Sequence, residues 1–459
     1  MFKKTIVFIE FLVMVLIPFL LNAQNKWNNK KLIEFGWDYP NVSLLKNNIS
    51  GMEKKPFDGV VFSFDFKIYT AFDTVQYADS KFQFNDLSKI QWGKFTDNFL
   101  FIRGSGSTGP HWLDDDSWGK ISRNLIKISK ALAISKAKGI GFDPEYNFSD
   151  SMLNPWIYRP SLYNNLSYQE VGNYVRKRGK QFIQALQTYK PDVKILSFWL
   201  LGLVYAQNKV SPIEKTGMAL FPFFVEGMLE GGNNLSNIIE GNEFSYWYPD
   251  FTNFVLNGEY VREKEIKLIN TNLQPDFKNI SVAKAIYLDG LYAKLPRFEK
   301  GFDKQTKERW LTDNLYFAYK TTDKYVWFYN EHVNWWKNQV DPGVEEIINE
   351  VRNKIYSEAN NTNSQINGES SIPNFKEKEP NDYRGFFYNY NQKTNTIGIK
   401  LLKNTINNLQ VYQNSRLIYK VDNPGTDFKI YLDKKYNKTG NLILMSKDNK
   451  GIRSVAFVN

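Results

Sequence analysis

The chain of 459 residues contains no cysteine and only two histidines, His111 and His332. The first absence excludes disulfides, thiolate metal sites, a cysteine nucleophile and a lipid-modified N-terminal cysteine. The second leaves no material for a multi-histidine metal centre. No P-loop, Gly-x-Ser-x-Gly elbow or His-Glu-x-x-His helix occurs anywhere in the sequence. After the first two dozen residues, no apolar run approaches the roughly 18 residues that mark a membrane-spanning helix. Chemistry in such a chain rests on carboxylates, and neither a metal nor a cofactor is expected.

What is abundant is aromatic. Phe, Trp and Tyr make up 16% of the residues, with 12 Trp, beside 42% apolar and 23% charged residues. The last two values are ordinary for a globular protein with a substantial core. The aromatic excess favours ring faces that are presented as well as buried.

Lys3 and Lys4 precede an apolar run over residues 6–21, interrupted by Glu10 and followed by Asn22-Ala23-Gln24. This is the pattern of a cleavable secretory signal. Residues 1–23 are therefore expected to be removed, giving a secreted or periplasmic protein with no integral membrane segment. The net charge is +11. From Arg384 onward there are thirteen basic and four acidic residues, so the rest of the chain is close to neutral. A neutral body with a basic tail argues against a nucleic-acid partner. It fits solubility, or contact of the C-terminal module with an acidic polymer or cell surface.

From residue 32 to about 356, short apolar strands alternate with amphipathic helical patterns. The strand candidates are 32–37, 58–65, 98–103, 139–143, 193–200, 237–244, 283–288 and 325–329. Helical periodicity covers 44–52, 121–135, 168–189, 303–319 and 344–356. Eight strand–helix units imply a (β/α)8 TIM barrel, with an open doubly wound sheet as the alternative. The barrel domain is set at 24–359 and a polar linker at 360–383. Short alternating runs over 384–459 read as a small C-terminal β-sandwich.

A barrel of this kind carries its site at the C-terminal ends of the strands. The residues there are Asp38, Asp65, Arg103, Asp143 with Glu145, Trp199, Glu240 with Glu243, Asp289 and Glu331, in strand order. A single acid at a strand end is usually a helix cap. Acids at six of eight ends suggest a shared cleft in which like charges raise one another's pKa. Trp112, Trp199, Trp247, Trp335 and Trp336 are candidate stacking surfaces for sugar rings, with core packing as the alternative.

The most specific segment is Gly139-Ile-Gly-Phe-Asp-Pro-Glu-Tyr146. Asp143 and Glu145, two apart on an extended strand, face the same side. The segment resembles in part the strand-4 ending D-x-x-D-x-D-x-E of chitinase-like, family 18 glycoside hydrolases. Lys138 and Gly141 stand where that pattern has its first two aspartates. The resemblance implies a barrel glycosidase with Glu145 as general acid and Asp143 as the group that positions an acetamido substituent. Phe35-Gly-Trp-Asp-Tyr-Pro40 and Met52-Glu-Lys-Lys-Pro-Phe-Asp-Gly59 also look like secreted barrels of the glycosidase type.

Gly104-Ser-Gly-Ser-Thr-Gly109 matches a dinucleotide fingerprint in form, but Pro110-His-Trp follows where a helix should begin. Asp114-Asp-Asp116 precedes a helix and reads as its cap rather than a calcium site. The resulting expectation is a glycoside hydrolase acting on a carbohydrate substrate, with Glu145 as acid/base. Glu243, Glu331 and Asp289 are the candidates for its partner, in that order, and Asp143 is the assistant. Substrate-binding roles fall to Asp38, Asp65, Arg103 and the five tryptophans named above. A pair separated by roughly 5–5.5 Å retains configuration and one by roughly 6.5–9.5 Å inverts it. The alternative is a non-catalytic carbohydrate-binding protein on a degenerate barrel. A third reading is a surface adhesin led by the basic module.

Overall fold

The computed structural model describes residues 30–66, 70–105, 111–146, 154–248, 251–289, 303–360, 365–369, 386–391, 394–401, 406–425, 427–433, 442–448 and 453–458. The expected signal segment lies outside them. Nine parallel strands form the first sheet: β1 Lys31–Glu34, β2 Gly59–Phe62, β3 Phe99–Arg103, β4 Gly139–Asp143, β5 Lys194–Ser197, β6 Asn237–Glu240, β7 Ser281–Val282, β8 Lys284–Tyr287 and β9 Tyr325–Tyr329. Pairing runs in sequence from β1 to β7, and β1 also pairs with β9, which pairs with β8. The strands are almost wholly buried because both faces are covered, by barrel interior inside and helices outside.

The seventh strand position is divided. Ser281 and Val282 pair with β6, Ala283 donates its N–H to the Glu240 carbonyl at 2.7 Å, and β8 then turns to β9. That division closes the ring, so β7 and β8 together occupy one of eight positions. The fold is the (β/α)8 barrel, not the open sheet.

Outside the ring the helices include Asp115–Ser135, Tyr168–Gln187, Phe251–Glu263, Lys304–Thr321 and Val344–Asn360. Asp114 caps the first, its carboxylate accepting from the backbone of Asp116 and Ser117. This is the capping use expected for the acidic triplet. Ser167 and Glu170 form a reciprocal capping box that starts the second helix.

Two four-stranded antiparallel sheets follow, built from Gln365–Glu369, Phe386–Asn391, Thr396–Leu401 and Asp427–Tyr431, and from Ile406–Gln413, Arg416–Asp422, Leu442–Asp448 and Arg453–Val458. The first of these strands falls inside the stretch expected to be a linker. Its backbone pairs antiparallel with Phe386–Asn391. The sandwich core is filled by Ile397, Ile399 and Ile430 from one sheet and Leu409, Val411 and Leu444 from the other. Residues of opposite parity, Tyr412, Ile443 and Met445, point the other way and join the barrel's core. The Tyr412 hydroxyl donates to Glu259 at 2.7 Å, on the helix Phe251–Glu263. The sandwich is thus packed onto the barrel through buried side chains.

Candidate active site

The C-terminal ends of the strands surround a cleft of about 550 Å³. Its floor is aromatic: Phe35, Phe198 and Trp327 follow one another at centroid distances of 4.4 and 4.8 Å, with Phe101 beside them. Its polar wall is made by Arg103, Asp143, Glu145, Glu243 and Glu331. The cleft therefore gathers the acids following β4, β6 and β9.

Asp143 ends β4 and is buried. Its Oδ1 accepts the backbone N–H of Glu145 at 2.9 Å, and its Oδ2 lies 3.3 Å from Arg103 Nε. Burial raises its pKa, and the Arg103 guanidinium and the Glu145 N–H pull against that. The same N–H bond fixes the turn through Pro144, leaving the Glu145 side chain exposed at the cleft mouth. Glu145 is nevertheless raised, first by partial loss of water and then by the charge of Asp143.

Glu243 reaches the cleft by a different device. The Glu240 carboxylate, fully buried at the end of β6, accepts the N–H of Leu200 at 2.9 Å and that of Asn242 at 2.7 Å. Asn242 takes a left-handed conformation with φ of 55°. At Gly241 a Cβ would sit 2.4 Å from the Ser197 carbonyl oxygen, so only glycine allows the β6 end to close on β5. The Glu243 N–H then donates to the Phe198 carbonyl at 3.0 Å, and its half-buried carboxyl faces the cleft. Burial pushes Glu243 up to about 8, and the charges of Asp143, Glu145 and Glu240 push the same way. At neutral pH it holds a proton.

Glu331 follows β9, half-buried, and accepts the Tyr329 hydroxyl at 3.3 Å. Several other acids expected at the site are used elsewhere. Asp289 is fully buried outside the cleft lining and accepts the backbone N–H groups of Glu331, His332 and Val333, the last two at 2.6 and 3.1 Å. It shapes the loop that presents Glu331. Asp38 accepts from the Asn330 side chain at 2.6 Å and the Trp335 N–H at 2.7 Å, and it bonds the Glu34 carboxyl. Asp65 is exposed and accepts from the Ser43 N–H at 2.9 Å and from its hydroxyl, at the start of the helix Val42–Met52. All three are spent on unpaired backbone donors, the commoner fate of an acid after a strand.

The tryptophans are redistributed as well. Trp112 is buried, stacked on Trp118 at 5.6 Å, with its indole N–H donated to the Pro155 carbonyl. Trp335 is buried edge-on to Phe57 at 4.8 Å. Trp336 is half-buried and reaches Glu34, while Trp199 packs against Phe221. None of these four lines the cleft. The Trp247 side chain lies outside the described residues, as do residues 106–110 of the glycine-rich loop. The cleft aromatics that sequence reasoning left unassigned are Trp37, Tyr39, Tyr246, Tyr287 and Tyr329. Each lies within seven residues of a strand end, but so do Trp199, Trp335 and Trp336, so nearness to a strand end does not by itself pick them out.

No protein-family model matches the chain, and no curated protein sequence is similar to it. Among solved structures it is similar to a calcium-binding mutant of Bacteroides uniformis beta-glucuronidase 2, at 9% identity and TM-score 0.36. That match covers 94% of this chain, which spans 45% of the length of the glucuronidase. A GH5-4 broad specificity endoglucanase from an uncultured bacterium matches at 9% identity and TM-score 0.43, covering 73% of this chain and 96% of that one. A Cellulomonas fimi endo-beta-1,4-mannanase double mutant matches at 8% identity and TM-score 0.36, over 95% of both chains. All three are glycoside hydrolases, and the likeness to each is one of outline.

Proposed function

We propose that this protein is a glycoside hydrolase that cleaves an O-glycosidic bond of a poly- or oligosaccharide, with Glu243 as general acid and Glu145 as the ionised partner. The observation that carries the reading is the contrast between two cleft carboxyls. Glu243 is half-buried among negative neighbours with its pKa near 8, while Glu145 stands open to solvent at the mouth. Carboxyls held in environments this unlike can divide acid and base roles between them. In this reading the proton sits on Glu243, where the strand-4 resemblance implied Glu145.

In the proposed step the Glu243 O–H gives its proton to the glycosidic oxygen as the C1–O bond breaks. The Glu145 carboxylate stabilises the positive charge developing at C1, by attack on that carbon or by taking a proton from the incoming water. One water is consumed, and the products are a reducing sugar and an alcohol. Asp143, tied to Arg103 and to the Glu145 N–H, keeps the turn in place and adds to the negative field that holds the proton on Glu243. The aromatic floor offers apolar faces to sugar C–H groups, and Arg103, Glu331 and Tyr329 offer hydroxyl partners.

Export through residues 1–23 and attachment of the basic module, 384–459, to an acidic polymer or cell surface belong to the same proposal. The test is reducing-sugar release from a polysaccharide panel by wild type, Glu145→Gln and Glu243→Gln. Release that falls at least ~100-fold in both variants supports the pair. Equal release by all three places the chemistry on other groups. Binding without release by wild type returns the protein to the carbohydrate-binding reading.

A further inference from the structure

Trp37 is the anomaly of the cleft. It is 67% exposed, although tryptophan is the side chain with most to gain from burial. A loosely held loop would explain such exposure, but this loop is not loosely held. The Trp37 N–H donates to the Asn330 carbonyl at 2.8 Å. Gly36 lies so close to Asn330 that a Cβ would stand 2.3 Å from both its carbonyl oxygen and its side-chain nitrogen. The Asn330 amide bridges Asp38 at 2.6 Å and the Val333 carbonyl at 3.1 Å. Asp38 in turn takes the Trp335 N–H at 2.7 Å. The Trp37 side chain reaches the Tyr329 hydroxyl, which bonds Glu331. The loop after β1 is thus bolted to the loop after β9, and the indole is held in water at the cleft rim.

Its place in the ring matters. β1 stands across the barrel from β5, and the proposed pair follows the strands on either side of β5. A sugar unit seated between Glu145 and Glu243 leaves Trp37 on the opposite wall, for the next part of the same ligand. We infer that Trp37 is a preformed stacking platform for a second sugar ring, which makes the preferred substrate an oligosaccharide or polymer chain spanning the cleft rather than a monosaccharide conjugate. This rests on the carbohydrate reading proposed above. Because the platform is ordered before the ligand arrives, stacking on it carries little ordering cost. Its effect appears as affinity that grows with chain length.

The experiment compares wild type, Trp37→Ala and Trp37→Tyr on gluco-, manno-, xylo- and N-acetylglucosamine-based ligands. Ligands run from an aryl monosaccharide to a six-unit chain. Both kcat/KM and calorimetric affinity are measured. The loss in Trp37→Ala should be about tenfold larger on the six-unit chain than on the aryl monosaccharide, the size of one stacking contact. It should fall on KM, and Trp37→Tyr, which keeps a ring face, should recover most of it. A loss independent of chain length, or no loss, overturns the platform and leaves the hydrolase reading standing. Absence of turnover together with a chain-length-dependent loss of affinity supports the platform and removes the hydrolase reading. Absence of turnover with equal binding by both variants removes both.

Discussion

The backbone N–H of Glu145 donates to the carboxylate of Asp143 at 2.9 Å, so the acid that ends β4 fixes the direction of the acid two residues later. On a regular strand both would face the same side. The bond and Pro144 turn the chain so that one side chain is buried against Arg103 while the other is exposed at the mouth. Two acids separated by one residue in the sequence come to occupy two different environments.

Replacing Asp143 by Asn should shift the proton affinity of Glu243. The charge of Asp143 is the largest electrostatic contribution, after burial, to holding Glu243 up. Its removal lowers that pKa, so the alkaline limb of the pH–rate profile should move to lower pH, accompanied by a fall in kcat/KM. A pH–rate series on wild type and Asp143→Asn measures this. An unmoved alkaline limb would show that another group carries the proton.

Glu243 also links stability to pH. Its folded pKa, about 8, is above the unfolded carboxyl value, so the folded state binds the extra proton. It therefore costs stability as pH rises from the unfolded pKa through the folded one, and costs nothing below both. Glu243→Gln should match wild type near pH 4 and exceed it in Tm by roughly 3–6 °C at pH 8–9. Thermal melts at the two pH values check it.

Trp335 and Trp37 should respond oppositely to truncation. Trp335→Ala removes a buried ring from contact with Phe57 and should cost about 3–5 kcal/mol. Trp37→Ala removes an exposed ring and should lie within about 0.5 kcal/mol of wild type. Urea unfolding of both variants separates the core tryptophan from the cleft one.

The barrel was legible because parallel strands covered on both faces are short apolar runs, and each of the eight runs overlaps a strand. The divided seventh strand was not, because Ala283 interrupts it without any change in composition. At the site, the acids at strand ends were visible but their uses were not. Asp38, Asp65 and Asp289 meet backbone N–H groups brought in by other segments of the chain, contacts that no local pattern encodes. The tryptophans failed for the same reason. Trp335 is carried into the core by its loop, while Trp37 is kept out by the Gly36–Asn330 contact, and both sit in aromatic-rich segments. Residue type told which chemistry was available, and long-range packing decided which copies perform it.

The most direct test of the acid and base assignment uses aryl glycosides with good and poor leaving groups, hydrolysed by Glu243→Gln and Glu145→Gln. A general acid matters most when the departing oxygen is basic. Glu243→Gln should lose ~100-fold or more on the poor leaving group and far less on the good one. Glu145→Gln should lose activity on both. The reverse pattern, with Glu145→Gln rescued by the better leaving group and Glu243→Gln impaired on both, would contradict the account and return the proton to Glu145.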